Sequence, residues 1–176
     1  HDDGTRSIGY RGSVVIPLHI VAKRTDKPIR LKGRMNIGVC SDICMPYTLK
    51  FDTTLEAAGG VPTPSIASAL ASAPYSASEA GVRAATCRIT PTSDGMQIEA
   101  HVTMPSAGGR EEAVIEAGQD AIWVSEPKTK RQGGQIVAVS QMYHSAGPAF
   151  SINRSDVRIT ILGSTHSVDI RGCTAG

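Results

Sequence analysis

Aromatic residues are scarce in this chain, at 4%, and Trp123 is the sole tryptophan. Small and β-branched side chains dominate instead, as in many β-sandwiches. Long apolar runs are also missing. None approaches the roughly 20 residues that carry a helix across a bilayer, so membrane insertion by this chain is not expected. No signal-peptide pattern opens the chain at His1-Asp2-Asp3, which therefore reads as a mature or trimmed soluble piece. Charge of one sign is not concentrated anywhere: the net charge is +2, both signs are spread along the chain, and no nucleic-acid partner is expected. The five histidines (His1, His19, His101, His144 and His166) form no metal-ligand spacing with one another and read as surface or core residues. No G-x-S-x-G elbow is present. The pairs Gly108-Gly109 and Gly133-Gly134 lack the strand–helix context of a phosphate loop and read as turns. No cofactor is expected.

What is present is β-pattern. Residues 12–22 place Val14, Ile16, Leu18 and Ile20 on one face, with Pro17 on the other marking an edge strand or bulge. Residues 29–37 alternate Ile29, Leu31, Gly33, Met35, Ile37 against Arg30, Lys32, Arg34, Asn36, a strand with one wet face. Residues 47–55 alternate again. Gly59-Gly60-Val61-Pro62 breaks the pattern, and Thr63-Pro64 predicts the start of a short helix. Strands are then predicted at 84–91, 96–104, 112–116, 121–126, 135–142, 157–162 and 167–171, with Ser93-Asp94-Gly95 as a hairpin turn and 128–134 as a polar, mobile loop. Seven short strands at this spacing predict an antiparallel sandwich. The fold class is thus all-β, with antiparallel β-sandwich domains and a short helical linker. The expected boundaries are 1–58, 59–81 and 82–176. The first domain has too few strands to bury a core alone. It packs on the second, or the chain begins inside a larger domain.

Four cysteines divide into a close pair, Cys40 and Cys44, and a distant pair, Cys87 and Cys173. The distant pair stands at the start and end of the second domain and is expected to form a structural disulfide. Closing that loop would stabilise by about 4–5 kcal/mol in the chain-entropy model. It requires an oxidising compartment. The alternative is two unrelated buried thiols. The close pair falls at a hairpin tip between two strands. Sulfurs this near can close a disulfide, open to two thiols, or hold a soft metal. Asp42 between them opposes thiolate formation by charge repulsion. Met45 and Pro46 make a stiff, partly apolar ledge for a docking partner. Tyr47 and Tyr10 flank the hairpin in sequence as candidate shields for the sulfurs.

G-Y-R-G-S-V-V-I-P-L at 9–18, followed by V-C-S-D-I-C-M-P at 39–46, resembles the N-terminal periplasmic domain of DsbD-type thiol:disulfide interchange proteins, with the three-residue spacer of the ScsB-like branch. The resemblance covers residues 9–55 and implies an immunoglobulin-like domain with two redox cysteines on a hairpin. It implies a periplasmic relay of electrons from a membrane-embedded donor domain to thioredoxin-fold proteins. By resemblance, Cys44 attacks and Cys40 resolves the mixed disulfide. Two features differ from DsbD itself: its spacer is longer, and its first domain carries strands upstream of the region matching Gly9.

Two other functions fit the same residues. One is Cu(I) binding by Cys40, Cys44 and Met45, since soft thiolates select Cu(I). The other is a β-sandwich interaction module with two structural disulfides and no exchange chemistry.

Overall fold

The computed structural model describes residues 8–23, 26–41, 43–56, 60–61 and 63–176. The chain divides into two units, His1–Ser72 and Ala73–Gly176.

In the first unit, strands β1 (Ile29–Cys40) and β2 (Cys44–Leu55) form an antiparallel hairpin. The pairing runs in unbroken register from Ile29↔Leu55 to Cys40↔Cys44. Alternation gives it two unlike faces. Ile29, Leu31, Met35 and Ile37 lie opposite Leu55, Thr53, Leu49 and Tyr47 on one. Arg30, Lys32, Arg34 and Asn36 lie opposite Thr54, Asp52, Lys50 and Thr48 on the other. Gly33 leaves a gap that the Phe51 ring fills: a Cβ there would come within 2.5 Å of Phe51 Cζ. Helix α1 (Pro64–Ala71) starts as expected, with Thr63 at the N-cap position in extended conformation and a proline in the first turn. The Thr63 hydroxyl makes no cap bond. No described residue of this unit is buried.

Residues 12–22 form no strand, contrary to the pattern. Val14, Ile16 and Leu18 remain exposed, and the segment pairs with no described strand. Pro17 removes one donor, and an alternating sequence has nothing to alternate against without a neighbour. Gly59 and Pro62 of the expected break lie outside the described residues, as do Asp42 and His1.

The second unit is a β-sandwich. One sheet holds β3 (Tyr75–Ser76), β6 (Glu112–Glu116), β10 (Arg158–Leu162) and β11 (Ser167–Arg171) in the order β3-β11-β10-β6. The other holds β4 (Ala84–Pro91), β5 (Met96–Thr103), β7 (Ile122–Val124), β8 (Lys128–Gln132), β9 (Gln135–His144) and β12 (Thr174–Ala175). Its order is β12-β4-β5-β9-β7, and β8 also pairs with β9. Inward residues of both sheets meet in one core: Ile98, Val102, Ile136 and Met142 from the second, Ile115, Ile159, Ile161 and Val168 from the first. Almost every expected strand is present with small shifts at its ends.

Three differences have physical causes. Residues 128–134, expected as a loop, hold strand β8 and a tight turn to β9. Their charges hide an alternation in which Thr129 and Arg131 turn inward while Lys128, Lys130 and Gln132 stay exposed. Gly133, with φ +58°, takes the left-handed position that the two-residue turn demands. Tyr75–Ser76, placed by sequence in the 59–81 linker, pairs with β11 in parallel. The short β12 pairs with β4, also in parallel. Two-residue strands carry no readable period.

Arg131 turns inward to meet Glu111, the buried carboxylate. Glu111 also accepts from the Ala107 N–H at 2.6 Å and from Arg131 Nη2 at 2.8 Å. Burial alone would push the Glu111 carboxyl up. The Arg131 and Ala107 hydrogen bonds and the Arg131 charge outweigh it and hold the group below its usual range.

Candidate functional site

Cys40 and Cys44 are direct cross-strand partners at the tip of the first-unit hairpin and are joined by a disulfide, S–S 2.06 Å. The strand alternation that began at Ile29 decides where the sulfurs point. Cys40 and Cys44 share parity with Arg30, Lys32 and Arg34, so they lie on the polar face. The tip itself is closed by the Ser41 N–H donating to the Ile43 carbonyl at 3.1 Å. Both cysteines are exposed.

The neighbours of the sulfurs follow from the same register. Gly38 and Pro46 are the next pair on the sulfur face. A Cβ on Gly38 would lie 4.0 Å from Cys40 Sγ, so the missing side chain leaves one flank of the bond open. Pro46, the cross-strand partner of Gly38, stands two residues from Cys44 on the same face. Met45 pairs with Val39 and Tyr47 with Ile37 on the opposite face. Val39, Ile43, Met45 and Tyr47 are each between 56% and 69% exposed, so the tip carries an apolar rim with no cover. Of the residues singled out by sequence, Pro46 shares the sulfur face, whereas Met45 and Tyr47 lie beside the tip on the opposite face. Tyr10 is 81% exposed, and no hydrogen bond or ring contact among the described residues joins it to the pair.

Met45 leaves the strand from the face opposite the sulfurs, so these three side chains do not converge as a ligand set here. No group of three or more His, Cys, Asp or Glu is placed to hold a metal among the described residues. The described histidines of the second unit have local roles. His101 lies between Glu99 at 2.7 Å and Gln135 at 3.1 Å. His144 stacks on Phe150 and accepts from the Ala146 N–H, and His166 stacks on Tyr75.

Cys87 and Cys173 are bonded, S–S 2.13 Å, and Cys87 is fully buried. This bridge ties β4 to the segment entering β12, where the Cys173 N–H also donates to the Arg154 carbonyl at 3.0 Å. The two disulfides thus differ in surroundings: one is walled into the core, and the other is bare at a loop tip. Two closed disulfides are the form expected in an oxidising compartment.

Sequence reasoning passed over Gly38. Its signal was available, since a glycine inside a strand often marks close approach by another molecule.

No protein-family model matches the chain, and no curated protein matches it. Among solved structures, it is similar to the N-terminal periplasmic domain of ScsB from Proteus mirabilis, with TM-score 0.57 and 12% identity. The match covers 84% of this chain, which spans 58% of that domain's length. At this identity the likeness concerns the fold.

Proposed function

We propose that this chain is a periplasmic thiol–disulfide exchange module that relays reducing equivalents from a membrane-embedded reductase domain to thioredoxin-fold proteins through Cys40 and Cys44. The observation that carries the proposal is the exposed cross-strand disulfide with an open flank at Gly38. A bond kept only as a brace gains nothing from exposure, whereas exchange needs a path for an incoming sulfur. The likeness in fold to a ScsB periplasmic domain supports the same reading.

The electron balance is simple. In the reduced chain, the Cys44 thiolate attacks one sulfur of a partner disulfide, forming a mixed disulfide and expelling the partner's first thiolate. The Cys40 thiolate then attacks Cys44 Sγ and expels the second. The partner gains two electrons, and the Cys40–Cys44 bond is formed. A dithiol of the donor domain reverses the cycle, losing two electrons as that bond opens.

The test is a redox titration of the full chain, with alkylation of the freed thiols, together with a trap. Cys40→Ser is expected to accumulate a mixed disulfide through Cys44. Accumulation through Cys40 in Cys44→Ser alone would reverse the two roles. A Cys40–Cys44 bond that resists mild reductant while the protein stays folded would leave the bland alternative, a sandwich module with two braces.

A further inference from the structure

The hairpin face that bears the sulfurs also carries an unexplained electrostatic conflict. Arg34 lies directly opposite Lys50. Like charges in direct cross-strand register destabilise a sheet pair. Elsewhere on this face the cations share one acidic partner: Arg30 Nε and Nη2 each donate to Asp52 at 2.8 Å, and Lys32 Nζ lies 3.8 Å from Asp52. Arg30 beside Asp52 holds that carboxyl below its usual range. Arg34 and Lys50 have no ion-pair partner among the described residues.

The register places this basic pair in relation to the disulfide. Arg34 is six positions before Cys40, and Lys50 is six after Cys44 (34 to 40 and 44 to 50). At roughly 3.3 Å per residue, that is about 20 Å along the same face. Between them lie Gly38↔Pro46 and Asn36↔Thr48, where the Thr48 hydroxyl donates to Asn36 Oδ1 at 2.8 Å. Neither pair carries charge or a bulky side chain. The face thus offers an open bond, a smooth uncharged strip and then two unmatched cations.

We propose that Arg34 and Lys50 form a docking site for an acidic segment of the thiol protein that exchanges with Cys40–Cys44. The partner's acidic group sits about 20 Å from its own reactive sulfur. The inference rests on the exchange function proposed above and names the chemistry of the partner. Charge complementarity of this kind sets encounter rate and register. The distance makes the proposal specific. Twenty ångströms exceeds the Debye length of about 8–10 Å at ordinary salt, so a small thiol at the tip does not feel the pair. Only a molecule long enough to span the strip does.

The experiment measures opening of the Cys40–Cys44 bond in the oxidised full chain by alkylation of freed thiols. The probes are mercaptoethanol and synthetic peptides with one cysteine and, six residues away, a block of four Glu, Gln or Lys. In each complete reaction two probe thiols give up two electrons and join as a disulfide, and the protein gains two thiols. The Glu peptide is expected to react about tenfold or more faster than the Lys peptide at low salt. The gap should close to within about twofold near 1 M salt. Arg34→Gln with Lys50→Gln should abolish the preference, and Arg34→Glu with Lys50→Glu should invert it. Mercaptoethanol should react at the same rate with all three proteins, which also shows that the hairpin persists. Equal rates for the Glu and Lys peptides, or a preference that survives the substitutions, would overturn the inference. So would binding to phosphatidylglycerol vesicles that depends on Arg34 and Lys50 without any peptide preference, which would assign the pair to a membrane surface. No reaction with mercaptoethanol in the folded wild type would instead overturn the exchange function itself.

Discussion

Gly38 and Arg131 show how single residues set what each unit can do. Gly38 keeps one flank of the Cys40 sulfur bare. Gly38→Val suits a strand by propensity yet puts methyl groups beside that sulfur. It should slow exchange with a peptide thiol by about tenfold, an added barrier of about 1.4 kcal/mol. Mercaptoethanol should be slowed less, and the ratio of the two rates reads the effect. Arg131 acts on stability. Arg131→Met leaves Glu111 buried without its cation and should cost about 3–5 kcal/mol in the urea transition of the second unit. The pH dependence follows from the same pair. The Glu111 carboxyl is held below its ordinary value of 4.5, so the unfolded chain binds the proton first. The stabilisation is fully present above that ordinary value and is lost as pH falls through the lower folded value. Urea midpoints measured from pH 7 down to pH 3 should fall in wild type across this window, and the fall should flatten in Arg131→Met.

Elements explain why some predictions from sequence held and others did not. The hairpin of β1 and β2 was legible because both faces obey a period of two over twelve residues in each strand. The same alternation places the sulfurs on the polar face, a consequence of Cys40 and Cys44 sharing parity with Arg30 and Lys32. The β8 strand was hidden because Lys128, Lys130 and Gln132 outweigh its inward Thr129 and Arg131 in any composition reading. The 12–22 segment failed in the other direction, with apolar alternation and no paired strand. The buried bridge belongs to this scale as well. Removing it with Cys87→Ala and Cys173→Ala leaves the β12–β4 pairing to hold that segment on β4. That should cost about 4–5 kcal/mol in the loop-entropy account, read as a lowered urea midpoint of the second unit.

At the scale of the whole molecule, the buried core and the exposed cysteine pair lie in different units. Every buried apolar residue described lies between Ala80 and Ile170, whereas the exchange candidate lies in a unit with no buried residue among those described. Amide hydrogen exchange should therefore be orders of magnitude faster across β1 and β2 than in the central strands β5 and β9. Comparable protection in both would mean that the hairpin is held by more than its own ladder. The order of residues alone determined the all-β class, the strand periods, the division of the cysteines into a close and a distant pair, and the hairpin that carries the close pair. These are local matters, set by side-chain alternation and turn chemistry along a few residues. Tertiary structure alone decided that β3 and β12 pair in parallel, that Arg131 turns in to Glu111, and that Cys87 is sealed while Cys40 and Cys44 are bare. Those outcomes depend on which distant segments become neighbours, and burial is a property of the neighbours a residue acquires.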